Sequence, residues 1–427
     1  MRFFFSLLYT GLAVPCMWLV LRAAAPFSAK IRRGIRGRVD MMRRLGEQAA
    51  GLQPGIRIWF HASSLGEFEQ AKPIIAALKR RDPRVRIIAS FFSPSGYDHS
   101  RNYPLADVVT YLPFDTRRGA ARFLDRVRPD VALMVRYDIW PNHIWELHRR
   151  GIPVMIANAT MRYNSLRLLP ALRSFHRHVY DSMEAILTVS ESDVEAFRRF
   201  RLRRPVLAAI GDTRYDQVML RSEEARLRRV LPRAVLEGRR VVVAGSTWPE
   251  DEEVLLAAFD RLEDRGDLLL VLVPHEPTVE HLEALEAALL GRSSCLRFSA
   301  VGSFAGERVL IVDTIGILPA LYASARVAYV GGSFRQGVHN VLEAAVYGIP
   351  VLFGPRHRNS GEPIRLVEEG GAFVVGDAAE LHRILSHLLQ DDGACQSAGR
   401  KAKAFVEAQV GATERILARL EGYLKKV

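Results

Sequence analysis

An acidic side chain follows the first strand-like run of the chain, where it could remove a proton from a substrate. The segment at 61–69 reads His-Ala-Ser-Ser-Leu-Gly-Glu-Phe-Glu and comes directly after an apolar run. Its small residues suit a tight turn into a helix, so Glu67 falls in the first helical turn. A carboxylate in that place is typical of a general base. The same spacing also fits a capping box formed by Ser64 and Glu67, and the sequence leaves both interpretations open.

A second acidic residue, Asp138, also stands at the end of a strand-like run. The segment at 136–142 reads Arg-Tyr-Asp-Ile-Trp-Pro-Asn, and its proline suits the first position of a helix. Asp138 therefore either supports a site or caps the helix that follows. Trp140 either lines a sugar pocket or lies in the core, which is the commoner place for a tryptophan.

Small polar turns in the second half of the chain are suited to holding a phosphate. Ser246 and Thr247 follow a strand-like run and precede an acidic helix, and a turn of this kind at a helix N-terminus can cradle an anion. The turn matches neither the dinucleotide fingerprint nor the P-loop. Pro274 and His275 end the next strand-like run. A lone histidine there is more often structural than functional.

The largest polar block lies at 329–355 and contains Gly332, Ser333, His339, Asn340 and Glu343. A strand ends in a flexible turn, a helix begins with a polar amide, and a carboxylate follows one turn later. This pattern is typical of a nucleotide-sugar transferase, in which helix-terminal amides hold phosphate and the carboxylate accepts ribose hydroxyls. The alternative, an ordinary βαβ unit with loop glycines, explains the Gly-rich turns and the His-Asn pair less well.

Between these segments, short apolar runs alternate with longer amphipathic runs, which predicts parallel sheets covered on both faces by helices. Predicted strands lie at 56–62, 85–91, 108–112, 131–135, 153–157, 185–190, 206–210, 240–244, 268–273, 309–312, 327–330, 351–353 and 373–375. Predicted helices include 67–80, 117–127, 142–150, 192–200, 250–265, 279–290, 317–325 and 341–347.

A charge-dense stretch at 221–240 interrupts the alternation and is typical of a helix followed by a linker. It predicts an N-terminal domain at 45–218, a C-terminal domain at 239–405 and a C-terminal helix at 406–427. The predicted fold class is α/β, with two Rossmann-like domains facing a central cleft. Ligands of open α/β sheets bind at the carboxyl ends of the strands, so we expect the site in that cleft.

The beginning of the chain predicts a membrane anchor. The apolar run at 3–21 lies between two arginines, and a membrane-spanning helix needs about 20 apolar residues. A cleaved signal peptide, with Ala23 to Ala25 as its small-residue site, is the alternative. The positive-inside rule places the rest of the chain in the cytoplasm. The basic residues that follow the run are Arg22, Lys30, Arg32, Arg33, Arg36, Arg38, Arg43 and Arg44.

The composition is globular, with a strong positive charge. Sixty Lys and Arg residues against 47 Asp and Glu give a net charge of +13. This charge favours a polyanionic partner, such as a phosphorylated substrate, anionic lipid or nucleic acid. No recognised nucleic-acid motif supports the last of these, so no nucleic-acid partner is expected. The three cysteines exclude a disulfide framework and paired zinc spacing.

Taken together, these motifs resemble those of the Kdo transferase family, where Kdo is 3-deoxy-D-manno-octulosonic acid. The family consists of bacterial glycosyltransferases of the GT-B architecture. Five motifs occur in the family's order and approximate spacing, and the resemblance covers nearly the whole chain. They are Ser-Ser-Leu-Gly-Glu, Trp-Pro-Asn, Gly-Ser-Thr, Asp-Thr-Ile-Gly at 313–316, and the Gly-Gly-Ser…His-Asn…Leu-Glu block. Trp248 and His275 differ from the residues that many members carry.

The resemblance implies transfer of Kdo from CMP-Kdo to the glucosamine disaccharide of a lipid A precursor, in lipopolysaccharide synthesis. Glu67 matches the family's catalytic glutamate, and Asp138 falls where many members carry a second acidic residue. The resemblance implies no metal, because the family does not need one, and no cofactor, because CMP-Kdo is a substrate. The residues expected to bind it are Ser246, Thr247, Pro274, His275, Ile315, Gly316, Ile317, Gly332, Ser333, Asn340, Val341, Leu342 and Glu343.

The expected location is the inner membrane, with a single-pass N-terminal anchor and cytoplasmic catalytic domains. Besides the donor and the lipid A precursor, anionic lipids of that membrane are expected partners of the basic residues. Two alternatives remain open: a GT-B transferase that uses a UDP-sugar and a lipid acceptor, and a non-catalytic membrane-anchored scaffold.

Overall fold

The structure is a computed structural model that describes residues 2–263 and 266–424. The chain forms two compact units. The first consists of Met1–Gln217 with Val410–Val427, and the second of Val218–Gln409. Of the predicted C-terminal helix, residues 425–427 lie outside the described part of the chain, as do residues 264 and 265 of the predicted helix at 250–265.

The first half of the chain alternates helices and strands, as predicted. The residues Tyr9–Ala13 form a π-helical turn between the first two helices. In chain order the elements are α1 (Arg2–Leu8), α2 (Val14–Ala24), α3 (Ala29–Gly37), α4 (Met41–Ala50), β1 (Arg57–Ala62), α5 (Leu65–Arg81), β2 (Arg86–Phe91), α6 (Pro94–Ser100), β3 (Val108–Tyr111), α7 (Arg117–Val127), β4 (Val131–Val135), α8 (Pro141–Arg149), β5 (Val154–Ala159), α9 (Pro170–Tyr180), β6 (Ala185–Thr188), α10 (Glu191–Arg198), β7 (Val206–Ala209) and α11 (Thr213–Arg226).

The same alternation continues to the end of the described chain. The elements are α12 (Arg233–Leu236), β8 (Arg240–Thr247), α13 (Pro249–Phe259), β9 (Leu268–Pro274), α14 (Val279–Leu289), β10 (Cys295–Arg297), β11 (Val309–Ile311), α15 (Leu318–Tyr322), β12 (Val327–Val330), α16 (Leu342–Ala345), β13 (Val351–Phe353), α17 (Gly361–Glu368), β14 (Ala372–Val374), α18 (Ala378–Gln390), α19 (Asp392–Glu407) and α20 (Ala412–Leu424).

The sheet of the first unit is parallel, with strand order β3-β2-β1-β4-β5-β6-β7. Its strands are almost continuously apolar because helices cover both faces. On one face Phe60 packs with Phe68 of α5, and on the other Trp59 and Met134 pack with Phe123 of α7. The strand order reverses between β1 and β4, which is where ligands bind in sheets of this kind.

The sheet of the second unit repeats this topology, with order β10-β11-β9-β8-β12-β13-β14. Here the order reverses between β8 and β12. The α/β, GT-B-like fold with two parallel seven-stranded sheets is confirmed. The strand β10 was not predicted, because a half-buried edge strand of only three residues needs no continuous apolar run.

The C-terminal helical region differs from the prediction of one helix at 406–427. Helix α19 continues to Glu407, and α20 begins only at Ala412. Gly411 between them has a φ of 108°, a conformation that favours glycine and breaks the helix. Asp216 accepts a hydrogen bond from the Gly411 amide at 2.9 Å. Ile416, Leu417 and Leu420 then complete the core of the first unit.

Within the described part of the chain, one helix, Phe5–Ala24, is long and apolar enough to cross a membrane. Length and composition alone fit both a membrane anchor and a signal sequence. It contacts the rest of the first unit, where the Tyr9 hydroxyl donates to Asp115 at 2.8 Å and the Thr10 hydroxyl donates to Asn142 at 3.0 Å. Several large apolar residues of this helix are exposed, namely Leu7, Leu8, Leu12, Leu19 and Val20.

A close backbone approach at Gly331 predicts a measurable loss of stability on adding a side chain. A Cβ atom at Gly331 would lie 2.4 Å from the Ser246 carbonyl oxygen and 2.7 Å from Thr247 Cα. Because the obstacle is backbone, β12 must move away from the end of β8. We expect Gly331→Ala to lower the free energy of unfolding by about 1–3 kcal/mol, measured as a lower thermal unfolding midpoint.

Gly361→Ala in the same unit is the matched control, since nothing lies within 4 Å of the added Cβ atom. We expect it to leave the midpoint unchanged or slightly raised. Equal midpoints for the two variants would show that the approach of β12 to β8 is not tight.

Candidate active site

In the first unit, the turn after β1 holds the Glu67 side chain against the start of α5. The amide of Ser63 donates to Glu67 Oε2 at 2.6 Å, and the amide of Ser64 donates to the same oxygen at 3.3 Å. Glu67 is therefore both a capping residue and a buried carboxylate. Among the hydrogen bonds of the described residues, none reaches Oε1, so this is the oxygen that can accept a proton from a ligand.

The second acidic residue, Asp138, lies beside this turn because β1 and β4 are neighbours in the sheet. Its Oδ2 accepts hydrogen bonds from His61 Nε2 at 2.9 Å and from Trp140 Nε1 at 3.2 Å. Asp138 thus does not cap α8, which was one of the two interpretations. The segments that follow β1 and β4 meet at the reversal of strand order.

His61 was not among the predicted site residues, and neither was Ser90, which orients it. His61 Nδ1 lies 2.8 Å from Ser90 Oγ, and Trp59 Nε1 donates to the same Oγ at 2.8 Å. His61 Nδ1 also lies 3.1 Å from the Ser90 carbonyl oxygen, so Ser90 holds this side of the ring. His61 Nε2 faces the Asp138 carboxylate and donates to it, because an ionised carboxylate only accepts hydrogen bonds. The sequence feature that could have identified them is their position, since both are polar residues near the carboxyl ends of predicted strands. In the structure, His61 and Ser90 are register partners on adjacent strands.

The two carboxyl groups have pKa values shifted in opposite directions. Burial raises the pKa of Glu67, and the neighbouring charge of Asp138 raises it further, against the lowering effect of the Ser63 amide. Burial would also raise the pKa of Asp138, but hydrogen bonds from His61 and Trp140 lower it below its usual range. When the pKa values of two neighbouring carboxyl groups shift in opposite directions, the two groups can take different roles. Here Glu67, with the raised pKa, is the better proton acceptor, and Asp138, with the lowered pKa, stays charged.

In the second unit, the turn after β8 has an unusual backbone. Ser246 has a φ of 56°, a left-handed conformation that costs a non-glycine residue free energy and is concentrated at functional sites. The Thr247 side chain is buried, and its hydroxyl donates to Glu252 Oε1 at 2.7 Å. The structure therefore gives the Thr247 side chain a role inside the fold.

An aromatic cluster covers the ends of β8 and β9. The rings of His275 and His339 stack with centroids 4.3 Å apart, and Trp248 Nε1 donates to His339 Nε2 at 3.0 Å. Burial, followed by the charge of His275, lowers the pKa of His339. Trp248 and His275, which differ from the common family residues, thus contact a common partner. Pro274 precedes His275 and is buried in β9.

The polar block around α16 also contains residues with roles inside the fold. Ser333 Oγ accepts a hydrogen bond from the Gly354 amide at 2.6 Å, and the Gly332 amide donates to Asp251 at 2.8 Å. Asn340 Oδ1 accepts from the Leu342 amide at 3.2 Å. Val341 and Leu342 are buried. The exposed candidates of the block are Asn340 and, in part, Glu343.

A cavity of about 370 Å³ brings together three of the predicted donor-binding residues, Gly316, Ile317 and Glu343. Their neighbour Ile315 is exposed. The cavity is also lined by Arg221 and Arg228, and Arg221 lies 3.8 Å from the Glu343 carboxylate. Both arginines lie in the stretch predicted as a helix followed by a linker, and they were not predicted as site residues because a dense run of charge is usually solvated.

Comparisons with known proteins agree with the motifs. Residues 34–217 match the family described as 3-deoxy-D-manno-octulosonic-acid transferase (Kdotransferase). The chain is 27% identical to the 3-deoxy-D-manno-octulosonic acid transferase of Haemophilus influenzae, over 100% of this chain and 99% of that protein. It is 28% identical to that of Bordetella pertussis, over 86% of this chain and 87% of that protein.

The chain is similar to the Kdo transferases. The matched residues 34–217 include Glu67 and Asp138, so both carboxylates lie within the part of the chain that matches the family model. Among solved structures, the UDP-GlcNAc 2-epimerase of Neisseria meningitidis bound to UDP-GlcNAc has a TM-score of 0.56 and 14% identity, over 86% of this chain and 99% of that one. A likeness at this identity concerns the fold alone.

The opposite pKa shifts predict the response of Glu67 to neutralising its neighbour. In Asp138→Asn the negative charge beside Glu67 is lost, so the charged form of Glu67 becomes easier to reach. We expect the pKa of Glu67 to fall, measured as a shift to lower pH in the titration of its side-chain carboxyl carbon by NMR.

Asp125→Asn is the control, because Asp125 pairs with Arg150 on the surface. It should leave the Glu67 titration unchanged. A Glu67 pKa that stays constant or rises in Asp138→Asn would contradict the electrostatic coupling of the two carboxylates.

Proposed function

We propose that this protein transfers Kdo from CMP-Kdo to the glucosamine disaccharide of a lipid A precursor, in lipopolysaccharide synthesis. The observation that carries the proposal is the Glu67 carboxylate, buried at the reversal of strand order and held by two backbone amides through one oxygen. The relatives named as Kdo transferases support the choice of donor sugar.

In the proposed reaction, Glu67 is the general base. Its Oε1 takes the proton of an acceptor hydroxyl while that oxygen forms a bond to the anomeric carbon of Kdo. The bond between the anomeric carbon and the phosphate oxygen breaks, and CMP leaves with the electron pair. The raised pKa of Glu67 suits this task, because a base is most effective when its pKa is closer to the working pH.

Asp138 is proposed to act on the base and the turn instead of on the substrate. As a charged neighbour it raises the pKa of Glu67, and its bonds to His61 and Trp140 fix the loop that follows β4. Without this partner the buried ring of His61 would lose a hydrogen bond, which is costly inside a protein.

The donor nucleotide is proposed to bind in the second unit, in the cavity lined by Gly316, Ile317 and Glu343. The Glu343 carboxylate would accept hydrogen bonds from the ribose hydroxyls. Arg221 and Arg228 line the same cavity, and guanidinium groups match phosphate geometry well. They are proposed as phosphate contacts in addition to the turn at 246–247.

The N-terminal helix is proposed to hold the enzyme at the cytoplasmic face of the inner membrane. The exposed leucines of this helix would face lipid, and the basic residues after it would contact anionic headgroups. Attachment raises the effective concentration of enzyme near a membrane-bound acceptor. The reaction is proposed to need no metal and no cofactor.

The test is incubation of the purified protein with CMP-Kdo and a tetra-acylated lipid A precursor, followed by mass spectrometry of the lipid and measurement of released CMP. We expect a product heavier by Kdo. In Glu67→Gln we expect the transfer rate to fall by about 10²–10⁴-fold, the usual contribution of a general base.

Glu69→Gln, two residues along α5, is the matched control and should retain the transfer rate, since Glu69 pairs with Lys72. If the protein transferred sugar only from UDP-sugars and not from CMP-Kdo, the proposed donor would be wrong. An undiminished rate in Glu67→Gln would exclude the proposed base, and binding of both substrates without transfer would indicate a scaffold.

A separate prediction concerns the nucleotide cavity. Hydrogen bonds between a carboxylate and hydroxyl groups contribute about 1.5–3 kcal/mol, so we expect Glu343→Gln to weaken CMP binding by roughly 10- to 100-fold. Calorimetric titration with CMP measures this directly. Glu369→Gln, in the same unit, pairs with Arg365 on the surface and should leave CMP affinity unchanged. Equal affinities in the two variants would place the ribose elsewhere.

A further inference from the structure

A second cavity lies in the first unit, at the point where the N-terminal helix ends. It has a volume of about 250 Å³ and is lined mainly by apolar side chains from three segments of the chain. Leu21 comes from α2, Ile31 and Ile35 come from one face of α3, and Phe92 and Phe114 come from the loops after β2 and β3. Such a surface favours an apolar ligand.

Arg38 joins the walls of this cavity to one another. Its guanidinium donates to the carbonyl oxygens of Leu112, Gly34 and Phe92, each at 2.8 Å. It also lies over the rings of Phe92 and Phe114, with centroid distances of 4.6 and 5.0 Å. Burial lowers the pKa of Arg38 to about 10. The cavity is therefore built into the fold and does not depend on a chance opening between helices.

One wall of the cavity is continuous with the candidate active site. The ring of Phe92 stacks on Trp140 with centroids 4.4 Å apart, and Trp140 donates to Asp138. The amide of the next residue, Ser93, donates to the Ser63 carbonyl oxygen at 2.8 Å. Ser63 in turn holds the Glu67 carboxylate. A ligand in the cavity would thus lie next to the turn that carries Glu67.

The charges around the cavity match an amphiphile with an anionic head. Lys30 lines the cavity together with the apolar residues. On the other side of α3, a groove is lined by Arg32, Arg33 and Arg36. Helix α3 therefore separates an apolar cavity from a basic groove, directly after the segment proposed to enter the membrane.

We propose that this cavity holds one acyl chain of the lipid acceptor and so positions the sugar hydroxyl beside Glu67. The proposal rests on the proposed function for its acceptor, and it adds the part of the acceptor that the first unit recognises. The occupant is a tail of the acceptor and not of a bulk membrane lipid, because the cavity wall is joined to the Glu67 turn by the contacts of Phe92 and Ser93.

The test fills the cavity and measures acceptor binding with no donor present, so that its outcome does not depend on transfer. We expect Ile35→Trp to weaken the affinity for the tetra-acylated, phosphorylated glucosamine disaccharide by about fourfold for each methylene that it excludes. The affinity for the same disaccharide phosphate without acyl chains should stay unchanged. Calorimetric titration in detergent micelles measures the affinity for the acylated disaccharide, and calorimetric titration in water measures the affinity for the disaccharide without acyl chains.

Val39→Trp is the matched control, since Val39 follows the same helix and is 60% exposed. It should change neither affinity. Ile31→Trp fills the cavity from the next turn of α3 and repeats the test independently, with the thermal unfolding midpoint reporting on folding. In the unmodified protein, acceptors with shorter chains should bind progressively more weakly.

Each outcome decides the proposal. Unchanged affinity for the acylated acceptor in both filled variants, or an equal loss for the acylated and the deacylated acceptor, would overturn it. Weaker binding to phospholipid vesicles with unchanged acceptor affinity would assign the cavity to a bulk membrane lipid and would also overturn it. If no acceptor receives Kdo but the filled variants still lose affinity for the acylated disaccharide alone, the proposed function fails and the acyl-chain cavity stands.

Discussion

The hydrogen bond between His61 and Asp138 is the contact on which the first unit's site depends. It joins the ends of β1 and β4 at the reversal of strand order, with a distance of 2.9 Å. Because His61 is buried, the bond is not weakened by competing water. It keeps Asp138 charged, and that charge adds to the effect of burial, which is the main cause of the raised pKa of Glu67. The bond therefore contributes both to the orientation of the loop after β4 and to the protonation of the neighbouring carboxylate.

In the second unit, a buried carboxylate also joins the segments at the reversal of strand order. The buried carboxylate of Asp251 accepts hydrogen bonds from the Tyr329 hydroxyl, the Gly332 amide and the Trp248 amide. These groups lie on β12, on the turn after β12 and at the start of α13. Buried carboxylates are retained where several donors satisfy them. In both units, such a group holds loops that would otherwise be free to move at the end of the sheet.

Two of the residues that depart from the family's common pattern, Trp248 and His275, are packed around His339. One cluster thus explains substitutions at separate motifs, since the indole N–H of Trp248 donates a hydrogen bond to the ring of His339.

In the first unit, Arg38 also joins separate segments of the chain. Its three carbonyl acceptors lie on α3 and on the loops after β2 and β3, so the segment after the N-terminal helix is joined to the loops beside the site.

The sequence by itself determined the alternation of strands and helices, the N-terminal apolar helix and the turn that carries Glu67, because each depends on local periodicity or turn chemistry. It left open whether Glu67 caps a helix or faces a ligand, and the structure shows that capping uses only one carboxylate oxygen. Only the tertiary structure decided that His61 meets Asp138, that Arg221 meets Glu343, and that Leu21 and Phe92 line one cavity. These pairs are distant in the chain, and strand order, which no local pattern encodes, brings them together.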